Sequence, residues 1–277
     1  MKKYTVEKRM ISSGKNSMKV LVLRPTVNKR PKEDTPGILW IHGGGYMIGN
    51  ANMIYMSRAL DLVKKYGAVV VTPEYRLAPK APYPAALDDC YAALRYMKDH
   101  ADELQFNSGK IMVGGESAGG GLTAAVCMLA RDRGEVNIAF QMPLYPMLDD
   151  RDTETSARNY GITWNTKNNH IAWECYLRNV KDNPPAYASP ARREDYAGLP
   201  PAYSFVGQKE AFYQETLMYM ENLRKVGIPA YADVYPTGLH GFDMVMPSRK
   251  VSRQAIAAFE KQYLYAAEHY CIPQSQE

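Results

Sequence analysis

The chain has 277 residues, 46% of them hydrophobic, and its 34 basic and 29 acidic residues give a net charge of +5. Charges of both signs are interspersed, which favours a solvated surface over a nucleic-acid interface. No run approaches about 18 apolar residues and the N-terminus lacks an apolar signal core, so neither a membrane span nor a signal peptide is predicted.

The apolar pattern predicts an antiparallel strand pair followed by alternating strands and helices. Residues 4–10 and 18–24 alternate apolar and polar side chains on either side of a Ser-Ser-Gly-Lys-Asn turn. Further strands are predicted at 37–41, 68–72, 110–114, 138–143, 202–206 and 230–235. Helices are predicted at about 53–66, 85–104, 118–132, 213–226 and 249–268. This alternation is typical of an α/β fold whose mostly parallel sheet is flanked by helices, and residues 1–277 are predicted to form one domain.

One segment after the sixth strand interrupts the alternation. Residues 147–190 are polar, rich in aromatic residues and asparagine, and contain no predicted strand. Because open sheets bind ligands beyond the carboxyl ends of their strands, we expect a small cap over the site. Three of its aromatic side chains are candidates for the wall of a substrate pocket: Trp164, Trp173 and Tyr176. The alternative is a helical hairpin whose aromatic residues fill only its own core.

The pentapeptide Gly115-Glu116-Ser117-Ala118-Gly119 fits G-x-S-x-G and lies between a predicted strand and a predicted helix. A serine at the apex of such a strand–turn–helix is typical of the nucleophile elbow of α/β-hydrolases. The helix that follows directs free N–H groups and a partial positive charge toward the group that the serine attacks. The sequence therefore predicts Ser117 as a nucleophile.

A serine nucleophile needs a base, and the histidines that follow Ser117 are His170, His240 and His269. His170 falls in the insertion and His269 follows the last helix. His240 lies in a turn directly after the last predicted strand, where catalytic groups converge. We therefore predict that His240 is the base.

The base needs a carboxylate that holds its tautomer and stabilises the imidazolium. Glu210 lies in the loop after strand 202–206 and is the predicted acid. Glu215 falls on the following helix and is expected to be exposed. Asp233 lies inside a strand, and Asp243 is too close to His240 in sequence to reach around its ring.

Strand 37–41 ends in His42-Gly43-Gly44-Gly45, which predicts a loop whose amides approach the substrate. The N–H groups of Gly43, Gly44 and Ala118 are the predicted oxyanion hole. A phosphate-binding glycine loop is the competing interpretation, but neither G-x-G-x-x-G nor G-K-[ST] follows. His42 is expected to hold the loop in place and not to act as a second base.

The remaining chemistry-bearing residues indicate no metal site or cofactor. The four cysteines are widely spaced without a C-x-x-C pair, and the five histidines form neither H-x-H nor H-E-x-x-H. Cys90 and Cys127 lie on predicted helix faces as buried thiols. This cysteine usage favours the reducing cytoplasm.

Four motifs in chain order resemble the hormone-sensitive-lipase-like family of α/β-hydrolase esterases. They are His42-Gly43-Gly44-Gly45, Tyr75-Arg76-Leu77-Ala78-Pro79, Gly115-Glu116-Ser117-Ala118-Gly119-Gly120 and His240-Gly241-Phe242. The resemblance covers about residues 36–260. It implies an eight-stranded α/β-hydrolase sheet, a cap, no cofactor, and hydrolysis of short-chain carboxylic esters. It also implies that the Gly43, Gly44 and Ala118 amides bind the oxyanion.

The chain departs from the family pattern in three places. Glutamate stands at Glu210, where the family usually has aspartate, and Glu116 likewise replaces the aspartate that commonly precedes the serine. The N-terminal region reads as strands where many members carry cap helices, so the cap is expected to rest mainly on residues 147–190.

Together these features predict a serine carboxylesterase that hydrolyses acetyl to about hexanoyl esters of small molecules through an acyl-serine intermediate. Two alternatives stay open at this stage: an amidase or peptidase on the same fold, and a ligand-binding protein built on an inactive hydrolase. No nucleic-acid or membrane partner is predicted, and the chain is expected to be a monomer or a homodimer.

Overall fold

The computed structural model describes residues 3–275, which form eight strands and eight α-helices. The strands are Tyr4–Ser13 (β1), Asn16–Pro25 (β2), Pro36–Ile41 (β3), Val69–Pro73 (β4), Asn107–Glu116 (β5), Phe140–Leu144 (β6), Ala202–Gly207 (β7) and Ala230–Tyr235 (β8). The helices are Arg58–Tyr66 (α1), Ala85–Asp99 (α2), Ala101–Leu104 (α3), Ala118–Arg133 (α4), Thr166–Leu177 (α5), Tyr213–Lys225 (α6), Phe242–Val245 (α7) and Lys250–His269 (α8).

All eight strands belong to one sheet in the order β1-β2-β4-β3-β5-β6-β7-β8. β1 and β2 pair antiparallel, β2 pairs antiparallel with β4, and every other neighbouring pair is parallel. The predicted α/β-hydrolase fold with a mostly parallel sheet is confirmed. Since β3, β5, β6, β7 and β8 run the same way, the loops that follow them share the carboxyl edge of the sheet.

Both faces of the central strands are buried because helices cover each face of the sheet. Leu39 and Val113 point to the face covered by α2, α4 and α6. Their neighbours Ile38 and Met112 point to the opposite face, against α1 and α8. Successive side chains of a strand alternate between faces, so a strand buried on both faces needs a continuous apolar run. The run Val69-Val70-Val71 in β4 meets that requirement.

Two predicted helices are divided in the structure. The predicted helix 53–66 is a 3₁₀ segment, Ala51–Met56, followed by α1. The predicted helix 85–104 is α2 and the short α3, separated at His100, whose backbone leaves the helical region. Apolar spacing continues across both breaks, so periodicity alone does not reveal them.

The segment between β6 and β7 contains one α-helix, α5, and the 3₁₀ turn Pro190–Arg192. The small helical element predicted after the sixth strand is therefore present. No helix within residues 3–275 is long and apolar enough to cross a bilayer.

Candidate active site

Ser117 lies between β5 and α4 in a strained backbone conformation, with φ of 59° and ψ of −121°. Its amide donates a hydrogen bond to the Leu144 carbonyl at 3.0 Å, which ties the turn to the end of β6. A Cβ at Gly119 would overlap the main-chain carbonyl oxygens of Ile41 and His42. The small residues of the motif are therefore needed because α4 starts directly against β3.

His240 lies in the loop between β8 and α7, at the same edge of the sheet as Ser117. The Ser117 hydroxyl donates to His240 Nε2 at 2.8 Å. The imidazole is enclosed by the rings of Tyr145 and Phe212, each with its centroid 5.1 Å away and nearly perpendicular. These edge contacts fix the plane of the imidazole while its Nε2 faces the serine.

Glu210 lies in the loop after β7 and is fully buried. Its Oε2 accepts a hydrogen bond from His240 Nδ1 at 2.6 Å, and its Oε1 accepts from the Gly207 amide at 3.2 Å. A carboxylate can only accept here, so Nδ1 carries the proton and Nε2 is left free to accept from Ser117. The structure thus brings the three predicted triad residues together with the tautomer that a general base requires.

The glycine loop after β3 lies directly against the nucleophile. A Cβ at Gly43 would lie 3.2 Å from the Ser117 Cβ, and Gly44 has a φ of 117° that L side chains rarely adopt. Ala118 is the first residue of α4, so its N–H is among those left without a partner inside the helix. Gly43 and Ala118, two of the three residues whose amides are predicted to form the oxyanion hole, therefore lie directly beside Ser117.

His42 supports this loop and does not reach the triad. Its ring stacks on Tyr75 with centroids 4.2 Å apart, and its Nδ1 donates to the Gly43 carbonyl at 2.7 Å. The Tyr75 hydroxyl in turn donates to the His42 carbonyl at 3.0 Å. Burial lowers the pKa of His42, so the ring is held in its neutral form. The motif that contains Tyr75 thus braces the glycine loop from below.

The insertion is bonded to the loops that carry the acid and the base. Thr163 Oγ1 donates to the His240 carbonyl at 2.9 Å, and Asn159 Nδ2 donates to the Lys209 carbonyl at 3.1 Å. The Trp164 ring lies 6.2 Å from the His240 ring, centroid to centroid, and a Cβ at Gly45 would overlap the indole. Trp164 therefore covers both the imidazole and the glycine loop.

The other two predicted pocket residues lie deeper. Tyr176 stacks on Tyr46 with centroids 4.0 Å apart, and Trp173 contacts the same tyrosine at 5.5 Å. Both side chains belong to the buried core on the α2–α4–α6 side of the sheet. Of the three aromatic candidates, the structure brings only Trp164 against the triad histidine, while Trp173 and Tyr176 support the site from behind Tyr46.

The expectation that Glu215 is exposed is wrong, because only 2% of its surface is accessible. Its Oε2 accepts from the Asp149 amide at 2.9 Å, which anchors the chain that follows β6. Burial raises the pKa of Glu215 well above its ordinary value of 4.5. A charged residue in an amphipathic pattern normally faces water, and nothing in the sequence marked this one as an internal partner.

Tyr145 and Phe212 flank the imidazole but were not among the predicted site residues. Neither belongs to a catalytic motif. The only sequence signal is position: Tyr145 directly follows β6 and Phe212 lies in the loop after β7. Both places are at the carboxyl edge, where side chains converge on a site.

Comparison with known proteins agrees with this fold. A family model described as the α/β-hydrolase fold matches residues 38–244. Esterase LipI of Mycobacterium tuberculosis is 34% identical over 212 residues, which cover 76% of this chain and 66% of LipI. Carboxylesterase NlhH of the same species is 29% identical over 267 residues, covering 92% of this chain and 82% of NlhH. Among solved structures, a bacterial heroin esterase superposes with a TM-score of 0.88 at 30% identity, covering 96% of this chain and 85% of the other. The chain belongs to the hormone-sensitive-lipase-like family of α/β-hydrolase esterases.

Proposed function

We propose that this protein is a serine carboxylesterase that cleaves short-chain esters of small molecules through an acyl-Ser117 intermediate. The observation that carries the proposal is the continuous hydrogen-bonded relay from Ser117 through His240 to Glu210, at 2.8 and 2.6 Å. The 2.8 Å contact is within the range that proton transfer to a general base requires, and the 2.6 Å contact is a hydrogen bond that orients that base. The relatives named as esterases and carboxylesterases support the same reaction class.

In the first step His240 takes the hydroxyl proton of Ser117 as the serine oxygen attacks the ester carbonyl. Glu210 stabilises the imidazolium that forms and does not itself become protonated. The imidazolium then gives its proton to the leaving alcohol. Water, activated by the same histidine, adds to the acyl-enzyme and releases the carboxylic acid and free Ser117.

Negative charge develops on the carbonyl oxygen while the tetrahedral intermediate exists. In this proposal the N–H groups of Gly43, Gly44 and Ala118 hold that oxygen. Preorganised donors of this kind contribute about 3–4 kcal/mol each, because they need no reorganisation as the charge appears. The N-terminus of α4 adds a partial positive charge at the same place.

The surroundings of the nucleophile favour small acyl groups. Ser117 is buried, and Trp164 closes the space above the glycine loop and the imidazole. We therefore propose acetyl to about hexanoyl esters as substrates.

Initial rates on p-nitrophenyl acetate, butyrate, octanoate and palmitate, for the wild type and Ser117→Ala, test this proposal. We expect fast turnover of acetate and butyrate, slow turnover of palmitate, and a loss of about 10⁴-fold or more in kcat for a folded Ser117→Ala protein. A matched p-nitroanilide measures amide cleavage in parallel. Wild-type rates retained by Ser117→Ala would reject the mechanism, and faster palmitate turnover would reject the small acyl site.

A further inference from the structure

A closed group of charged side chains lies beneath the proposed triad. Arg58, Glu116 and Asp243 are 8%, 2% and 0% exposed. Arg58 Nε lies 3.1 Å from Asp243 Oδ2, and the Tyr145 hydroxyl donates to Asp243 Oδ1 at 2.9 Å. We call Arg58, Glu116, Asp243 and Tyr145 the buried junction.

Three members of the buried junction are connected directly to Ser117 or His240. Glu116 immediately precedes Ser117, and Asp243 follows His240 by three residues. The ring of Tyr145 contacts the His240 imidazole edge-on at 5.1 Å. A displacement of the junction would therefore reach the nucleophile and the base together.

The junction holds one cation, Arg58, and two carboxyl groups, Glu116 and Asp243. If both carboxyl groups were ionised, the single positive charge could not balance both of them. Asp243 has the Arg58 ion pair and the tyrosine hydroxyl as partners. Glu116 Oε2 accepts a hydrogen bond from Trp40 Nε1 at 2.8 Å, and its Oε1 has no hydrogen-bond partner among residues 3–275, although the charge and the backbone N–H of Arg58 act to lower the pKa of Glu116. A buried carboxylate with so few donors is costly, whereas the neutral acid is tolerated.

The electrostatics of the junction agree with this division of charge. Burial, and then the nearby Asp243, raise the pKa of Glu116 to about 8. Burial also raises the pKa of Asp243, while Arg58 and the Tyr145 hydroxyl act to lower it. The remaining charged and titratable groups that face the junction are Asp61 on α1, which pairs with Arg58 at 3.3 Å, Tyr75 after β4 and Glu210 after β7.

We propose that Asp243 is a positioning residue for His240, held ionised by Arg58 and acting through Tyr145, and that Glu116 is the neutral member of the buried junction. The inference rests on the proposed function, because it assigns His240 the role of base. The Tyr145 hydroxyl donates to Asp243 while its ring lies edge-on to the imidazole, so the proposed route runs from the ion pair through the tyrosine ring to the base. Glu116 is the protonated acid in the junction and therefore adds no second negative charge beside Asp243.

Asp243→Asn and Glu116→Gln separate the two roles, because each removes a possible charge with little change in shape. Asp243→Asn removes the ion pair, and a shift of the imidazole of about 1 Å costs up to roughly 100-fold. We expect its kcat on p-nitrophenyl butyrate to fall about 10- to 100-fold, with KM changed less than about threefold. Glu116→Gln, which lies outside the proposed triad, should keep kcat at pH 7 within about twofold, since an amide replaces a neutral acid.

The dependence of kcat on pH distinguishes a titrating Glu116 from a Glu116 that only fills space. Above about pH 8 the wild-type Glu116 loses its proton and places a second anion in the junction. We expect an alkaline decline in wild-type kcat that is absent in Glu116→Gln. The melting temperature of the wild type should also fall relative to Glu116→Gln as the pH rises from 5 to 8.

Four results would overturn the inference. A folded Asp243→Asn protein with kcat within twofold of the wild type would remove the positioning role. An equal loss of kcat in both variants at pH 7 would mean that Glu116 is charged, and superposable pH profiles and melting curves for the wild type and Glu116→Gln would mean the same.

If Asp243→Asn does not fold, Tyr145→Phe removes only the hydroxyl that donates to Asp243, and an unchanged kcat in Tyr145→Phe refutes the route through the tyrosine. If wild-type turnover itself is absent, the proposed function fails, but the melting curves still test the charge assignment.

Discussion

Glu210→Gln isolates the charge of the proposed triad acid from its shape. In the wild type, Oε1 accepts from the Gly207 amide and Oε2 accepts from His240 Nδ1. A glutamine that keeps its single oxygen on the Gly207 amide must turn its NH₂ group toward Nδ1. That group is a donor, so Nδ1 must become the acceptor and the ring proton must move to Nε2.

The magnitude follows from the tautomer. With a proton on Nε2 the imidazole cannot accept the Ser117 proton across the 2.8 Å contact, and no anion remains to stabilise an imidazolium. The equivalent Asp-to-Asn change in a serine protease lowers kcat by about 10⁴-fold. We expect a loss of about 10³- to 10⁴-fold in kcat, which corresponds to roughly 4–5.5 kcal/mol of lost transition-state stabilisation.

The assay is kcat and KM on p-nitrophenyl butyrate with matched melting temperatures. Glu210→Asp is the control, because it keeps the charge but withdraws it by one methylene, and the expected loss is only about 10- to 100-fold. A folded Glu210→Gln protein that keeps kcat within tenfold of the wild type would show that another group orients His240. The same would follow if Glu210→Asp were the more damaged of the two.

Four further predictions follow from the structure. Gly119→Ala pushes a methyl group into main-chain carbonyl oxygens beneath the glycine loop and should lower the unfolding free energy, measured by urea denaturation, by about 3 kcal/mol or more. The control Gly134→Ala has open space for the methyl group and is disfavoured only by its φ of 67°, so it should cost about 1–2 kcal/mol. Trp164→Ala should raise the octanoate-to-acetate ratio of kcat/KM about tenfold by opening the space above the triad, and an unchanged ratio would place the acyl group elsewhere. Thr163→Val removes the bond to the His240 carbonyl and should lower kcat less than about tenfold, with KM nearly constant in steady-state assays. Burial raises the pKa of Glu215 above 4.5, so the folded protein keeps a proton that the unfolded chain releases, and stability falls as the pH rises above 4.5. Glu215→Gln should remove this loss. Its melting temperature should exceed that of the wild type by a margin that is larger at pH 8 than at pH 5.

The sequence alone was sufficient for the α/β fold and for Ser117, Glu210 and His240 as candidates that the structure brings within hydrogen-bond distance. The reason is physical: a strand buried on both faces must be apolar throughout, and a tight turn against a neighbouring strand admits only small residues. Both requirements leave local marks in the chain. Chain order and position after predicted strands were then enough to select one histidine and one glutamate among several.

Other features were decided only by tertiary packing. Tyr145 and Phe212 come from two different loops, and nothing local marks either one as a neighbour of His240. Glu215 has the local pattern of a surface residue, yet its helix turns it inward onto the Asp149 amide. The pairing of Arg58 with Asp243 joins positions 185 residues apart in the chain. Local spacing indicates which side chains share a face of one helix or strand. Which side chain each of them meets across the core depends on how separate elements pack against each other. The charge state of buried groups such as Glu215 and Asp243 depends on that packing as well.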